Sequence, residues 1–331
     1  MTSGTALSAP AGSPSVDAPA PAAHVVLAAT VRSIERLSPS FVRIAFGGEG
    51  FDQVGPEGAA LDQRIKLVIP GPGRSFPLHL IRPDSWYAAW LALPEGERGQ
   101  VRTYTVRSVL GEGADRRVIV DFVLHEPSGP AGAFAASAKV GDVVGMLAPR
   151  RGREDEFGGI EFRPGAARRL WFTADETAVP ALASILESLP PDADGWAVAE
   201  VPNAADVRHL DTPAGLRVDW LVRASQPRGR ATIEAVRARC GLHVQVVDPA
   251  LATPVERPEE EVWETAIFSS SGEVVGDRAA ARGVGPDETY AWVAGDSDTV
   301  KAIRRILVGE VGMARHHVAF MGYWKVGTAQ A

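Results

Sequence analysis

RRLWFTADETAVPALASILESL, residues 168–189, is where the pattern of this 331-residue chain changes. An apolar run reaches Asp175, and beyond Glu176 the apolar residues recur at helical spacing, so a strand passes directly into a helix. Asp175 is placed to N-cap that helix, with Pro180 in its first turns. Downstream the alternation continues: WAVAEV (196–201), VDWLV (218–222), a helical IEAVRARC (233–240), YAWVAGD (290–296) and a helical VKAIRRILVGEVG (300–312). Strands alternating with helices predict a parallel sheet with right-handed crossovers, which HVAFMGYWKVG (317–327) would close.

Upstream the pattern is different. HVVLAATVRSIERL (24–37), FVRIAFGG (41–48), DQRIKLVIP (62–70), VRTYTVRSV (101–109), RRVIVDFVLH (116–125) and DVVGMLAP (142–149) are short β-rich runs separated by Gly, Pro and Asp. Six such runs predict a small antiparallel barrel. PLHLIRPDSWYAAWLALPEGERGQ (77–100) interrupts them as a long surface excursion, and GPAGAF (129–134) begins a short helix. The expected organisation is a disordered tail at 1–23, a β-barrel domain at 24–150, a linker or flap at 151–167, and a nucleotide-binding-type α/β domain with flanking helices at 168–331.

Composition narrows the chemistry. The formal net charge is −7 and no Lys/Arg block could track a phosphate backbone, which argues against nucleic acid. Cys240 is the single cysteine, so a disulfide or a thiolate-ligated cluster cannot form within one chain, and the scattered histidines offer no metal site. Redox chemistry would therefore need an organic cofactor. The first Lys or Arg is Arg32, and no run approaches the length of a membrane span, so the expectation is a cytoplasmic protein without membrane insertion.

RTYTVRSV, residues 102–109, is the sharpest local signal. Alternation along a strand puts Arg102, Tyr104 and Val106 on one face and Thr103, Thr105 and Arg107 on the other. A flavin needs an aromatic surface, a hydroxyl near N5 and a cation at its diphosphate, and Tyr104, Thr105 and Arg102 could supply these in turn. By itself the segment reads equally as an ordinary exposed strand. The next run carries Asp121, Val123 and His125, followed by Gly129, Pro130, Ala131 and Gly132, whose backbone N–H groups at a helix start could hold a phosphate. TADETAVPAL has no GxGxxG, and its acids suit a helix start better than a phosphate site. Near the end, Tyr323, Trp324 and Lys325 could cap a flavin and attract an anion, or simply anchor a last strand.

In this order the segments resemble the siderophore-interacting proteins, the ferric-siderophore reductases among the ferredoxin-reductase-like flavoproteins. RTYTVR, DFVLH followed by GPA, DETAVPA, WVAGD ahead of a basic helix and GYWKVG carry the resemblance, which runs from about residue 25 to residue 327. It implies an FAD-binding barrel, with Arg102, Thr103, Tyr104, Thr105, Asp121, Val123 and His125 at the cofactor and GPAG at its diphosphate. Thr105, Asp175 and Thr177 become catalytic candidates, Tyr323 and Trp324 lie near the flavin, and Lys325, Lys66 and Arg107 would receive an anionic ferric siderophore. NADH or NADPH is the implied donor, with a reduced ferredoxin as the alternative. A flavin reductase with another acceptor and a non-catalytic siderophore-binding module are the rival readings. Gly132 replaces the family's usual Ser or Thr, Glu126 a Gly, Phe134 a Trp and Asp296 a Glu.

Overall fold

The computed structural model describes residues 22–71, 73–81, 86–125, 129–153, 158–242, 263–264, 284–285 and 287–325. The six predicted runs become seven strands: β1 (His24–Arg36), β2 (Phe41–Gly47), β3 (Arg64–Ile69), β4 (Gln100–Thr105), β5 (Ser108–Leu110), β6 (Arg117–Val123) and β7 (Val143–Pro149). They pair antiparallel in the order β4-β3-β7-β1-β2-β6-β5. The run read as one strand divides at Val106, whose N–H donates to Gln63 O at 2.8 Å while the Arg107 N–H donates to Ile119 O at 2.9 Å. Its first half pairs with β3 and its second half with β6, so the two edges of the sheet are adjacent pieces of one run and the sheet rolls into a barrel. Ile65, Leu67, Val118, Val120, Phe122, Val144 and Met146 fill the interior, each burial contributing about 1.5–3 kcal/mol.

The excursion is a second layer rather than a surface loop. Its helices α1 (Trp86–Ala92) and α2 (Glu95–Arg98) follow a turn that sets Phe76, Leu80 and Trp86 against Val26, Val68, Val101 and Leu147 on the barrel's outer face. Gly145 makes the approach possible: a Cβ there would lie 2.3 Å from the Phe76 ring. A third helix, α3 (Pro130–Ser137), plugs the barrel with Ala131 and Ala135.

The second domain contains β8 (Arg169–Ala174), β9 (Asp194–Val201), β10 (Gly215–Val222), β11 (Trp263–Glu264), β12 (Thr289–Asp296) and β13 (Val318–Trp324) in the order β10-β9-β8-β12-β13-β11. All neighbours run parallel except β11, which pairs antiparallel with β13, so the last strand is internal instead of closing the sheet. Helix α4 (Val179–Leu186) is buried along its whole length on one face of the sheet, with Phe172 and Trp292. Helices α5 (Arg230–Arg239) and α6 (Ser297–Arg304) cover the other face with Val236, Val300 and Ile303. Strand order reverses between β8 and β12, which opens a crevice at their carboxyl ends. No helix among the described residues is long and apolar enough to cross a membrane.

Two buried carboxylates join the domains. Asp206 accepts the Ser40 N–H at 3.0 Å and the Ser38 and Ser40 hydroxyls at 2.6 and 2.8 Å. Asp62 accepts the Trp292 indole N–H at 2.9 Å and the backbone N–H groups of Glu161 and Phe162. The described part of the 151–167 segment is thus packed in place, with Phe162 in the core of the second domain and the Tyr290 hydroxyl donating to Glu161 O. Burial pushes the Asp62 carboxyl from 3.8 to about 6 against the opposing effect of those donors. A carboxyl that holds its proton more tightly when folded contributes stability that is complete below its unfolded value and lost as pH rises through its folded one. Asp62→Asn is therefore expected to flatten the fall in stability between about pH 4 and pH 6, as read by denaturant unfolding across that window.

Candidate active site

The barrel mouth carries the first group of predicted residues. Tyr104, half-buried at the end of β4, packs its ring 4.4 Å from Phe122, and Phe122 in turn meets Phe134 of α3 at 6.1 Å. Arg102 lies on the same face of β4, opposite Leu67, and its guanidinium hydrogen-bonds the Val101 carbonyl, with no acidic partner among the described residues. Thr105 is buried on the other face, near Tyr323, and burial holds the Tyr323 phenol well above its ordinary value. The first turn of α3 is exposed at Gly129 and Pro130 and has no side-chain cap, and a Cβ at Gly129 would meet nothing within 4 Å.

The domains meet at a stack. Trp324, the last residue of β13, stacks with the His125 ring at 5.6 Å and carries the Arg228 guanidinium over its ring at 4.7 Å. Its indole N–H donates to Asp175 Oδ2 at 2.7 Å, fixing the ring plane. Asp175 also accepts the Thr177 N–H at 2.8 Å, the Thr177 hydroxyl and the Asp296 N–H at 2.7 Å, so the predicted cap joins three segments as well as starting the turn into α4. The carboxyl ends of β8 and β12 can approach this closely because residue 295 is glycine: its φ is +145°, and a Cβ would fall 2.7 Å from the Asp175 carboxyl. Burial, followed by the neighbouring Glu176 charge, pushes Asp175 up to about 6 despite its donors. Burial lowers His125, and Glu176 at 3.8 Å opposes that shift.

Behind the stack is an ion cluster that sequence reasoning did not find. Arg223, at the end of β10, reaches Glu176 through both terminal nitrogens at 2.9 Å and Glu200 at 3.0 Å. Arg228 makes a further pair with Glu176. In the sequence these arginines lie in the polar stretch RASQPRGR, where nothing but its position after an apolar run marks it.

His125, Asp175, Thr177 and Trp324 come together, as do Thr105 and Tyr323, while Val123 sits partly buried at the end of β6 and leads to His125. Other predicted residues are committed elsewhere. Asp121 points out of the barrel and gives both carboxylate oxygens to Arg43 at 2.7 and 2.9 Å, with Arg208 at 3.5 Å, so its side chain is not open to a ligand. Arg107 pairs with Glu187 beyond α4 and is only 13% exposed, so it is an interdomain tie and not an open cation. Lys66 stands half-buried on the outer face of β3 across from Thr103, its pKa lowered by burial and then by Arg64. Lys325 is half-buried beside Trp324. Glu126 lies outside the described residues.

Comparison with known proteins follows the same two-part plan. Residues 30–153 match the family model of the siderophore-interacting FAD-binding domain, and residues 167–327 match that of the siderophore-interacting protein. An uncharacterized protein of Mycobacterium tuberculosis is 35% identical over 223 residues, which is 67% of this chain and 72% of the relative. Ferric vibriobactin reductase ViuB of Vibrio cholerae is 26% identical over 291 residues, covering 88% of this chain and 86% of that protein. The crystal structure of a siderophore utilization protein from T. fusca superposes with a TM-score of 0.63 at 28% identity, over 93% of this chain and 95% of that one. The ferredoxin reductase of carbazole 1,9a-dioxygenase shares the fold at a TM-score of 0.53 and 14% identity, over 91% of this chain and 70% of that one. A rolled antiparallel sheet with an aromatic mouth, a largely parallel sheet docked on it through Trp324, and both family models matched in sequence order lead to one assignment: the chain belongs to the siderophore-interacting protein family.

Proposed function

We propose that this protein is an FAD-dependent reductase that takes electrons from NADH or NADPH and delivers them to the iron of a ferric siderophore, releasing it as Fe(II). The observation that carries the reading is the His125–Trp324–Arg228 stack, which sets the barrel mouth and the nucleotide crevice side by side. When bound, FAD would accept an electron pair from the nicotinamide and supply single electrons to Fe(III). Iron(II) is held more weakly by hard oxygen ligands, so reduction favours release.

The residues at the mouth fit the cofactor. Tyr104 offers a half-exposed ring, Arg102 a guanidinium without an acidic partner among the described residues, and α3 a solvent-facing start at Gly129 and Pro130, followed by Ala131, for a phosphate. Gly132 supplies backbone but no hydroxyl there, at a cost of about 1 kcal/mol relative to Ser or Thr. Thr105 would stand by the reacting edge, and Asp175 with Thr177 would hold Trp324 and the nicotinamide end of the crevice in register. Lys325 and Lys66 are the cations assigned to the siderophore, with Arg107 withdrawn from that role by Glu187. The relatives named as ferric vibriobactin reductase and as NADPH-dependent ferric-chelate reductase of Escherichia coli, the latter 30% identical over 203 residues, support the reaction class.

An absorption spectrum of purified protein supplemented with FAD, followed anaerobically by NADH or NADPH, tests this. Flavin bands near about 450 nm that bleach with a nicotinamide and return on adding a ferric siderophore are expected. Bands that resist both nicotinamides would move the donor to a protein such as a reduced ferredoxin. No bound flavin after FAD addition would sink the reductase reading.

A further inference from the structure

The crevice at the carboxyl ends of β8 and β12 is lined by Asp175, Glu200, Arg223, Arg228, Asp296 and Thr299, among others. In parallel sheets of this kind nucleotide phosphates are met by backbone N–H groups and cations at the strand ends. Here those groups already hold carboxylates. Glu200, buried at the penultimate position of β9, accepts the Gly229 N–H at 3.1 Å, the Thr232 hydroxyl at 2.8 Å and Arg223 at 3.0 Å. Arg223 also bonds Glu176 through both terminal nitrogens, and Glu176 is itself fully buried. An internal anion thus occupies the first turn of α5, together with the one arginine fork aimed at it.

The rest of the lining is acidic too. Asp296 gives one carboxylate oxygen to Thr299, while its Oδ1 is buried without a partner among the described residues. Asp175, Glu176, Glu200 and Asp296 therefore stand against Arg223 and Arg228 in and around the crevice. Of the two arginines, Arg228 alone is appreciably open, at 36% exposure. Although paired with Glu176, it keeps an open side that can meet one diphosphate, and no cation beyond Arg223 and Arg228 lines the crevice among the described residues for a further phosphate dianion.

We infer that this crevice takes the unphosphorylated dinucleotide, NADH, in preference to NADPH, and that Glu200 determines the preference by holding Arg223 and the start of α5 on an internal carboxylate. The inference rests on the reading above that a nicotinamide nucleotide is the donor. Calorimetric titration of the full chain with NAD+, NADP+, 5′-AMP and 2′,5′-ADP gives a readout independent of turnover. The unphosphorylated member of each pair is expected to bind about tenfold more tightly or better, with kcat/KM for NADH exceeding that for NADPH by a similar factor. Glu200→Gln is expected to narrow the ratio at least several-fold. Equal or tighter binding of NADP+ and 2′,5′-ADP to the wild type overturns the inference and leaves the reductase reading intact. An unchanged ratio in folded Glu200→Gln removes Glu200 as the determinant. Should that variant fail to fold, the wild-type titrations still decide the preference. Binding of neither nucleotide, with no bleaching, overturns the nicotinamide reading and this inference together.

Discussion

Arg223→Leu is expected to destabilise the second domain by about 3–5 kcal/mol, because it leaves two buried carboxylates without their shared partner. Glu176 and Glu200 are both essentially inaccessible, and Arg223 holds one through two nitrogens and the other through one. Burial by itself would push Glu176 up, but Arg223 and then Arg228 outweigh it and keep the carboxyl below its ordinary value. In the wild type that depressed value contributes stability above pH 4.5, lost as the pH falls through the folded value. In the variant the sign reverses: with burial unopposed except by Arg228, Glu176 should titrate higher, and mild acid should recover part of the lost stability. Thermal unfolding across pH would read both effects, with the midpoint at neutral pH lower by roughly 10 °C. The exposed Arg230–Glu234 pair is the internal control, since its removal should change stability by no more than about 0.5 kcal/mol. A neutral-pH midpoint unchanged in Arg223→Leu would show that the cluster is not an energetic unit.

Arg102→Glu is expected to weaken FAD binding about 100-fold, enough to yield protein purified largely without flavin. A charge-assisted bond from Arg102 to the diphosphate, as proposed above, would contribute about 1.5–3 kcal/mol, and a carboxylate in its place would add repulsion, for a total of about 3 kcal/mol. The fold should survive, because the guanidinium hydrogen-bonds the neighbouring Val101 carbonyl and holds no acidic side chain among the described residues. Flavin content and FAD titration should therefore fall while the melting transition of flavin-free protein stays in place. Wild-type flavin content in Arg102→Glu would remove Arg102 from the site.

Much of this was legible along the chain because period and punctuation are local properties. Apolar runs bounded by Gly, Pro and Asp read as strands upstream, and the switch to helical spacing after Asp175 marked the second domain. Asp175 as an acid at this junction was legible for the same reason, since it bonds to N–H groups two and three residues away, although it caps the turn before the helix and Ala178 is the N-cap of α4 itself. Partners distant in sequence were not. Asp121 looked like a ligand residue beside His125, yet its outward face meets Arg43 and Arg208. Arg107 looked like an open cation until α4 brought Glu187 to it.

By itself, then, the sequence determined the two architectures, their order and the segments from which a site could be built, because each depends on residues within a turn or a strand of one another. Only the tertiary structure decided which charges are spent. Rolling the sheet at Val106 turned one run into two edges of the same sheet, and docking the domains through Asp62, Asp206 and Trp324 brought Arg228 and His125 to one indole. Whether a carboxylate is a free ligand, a cap or the buried partner of an arginine depends on groups far away in the chain. Desolvation and pairing energies at these sites are set by that three-dimensional neighbourhood, and no pattern within a local window contains it.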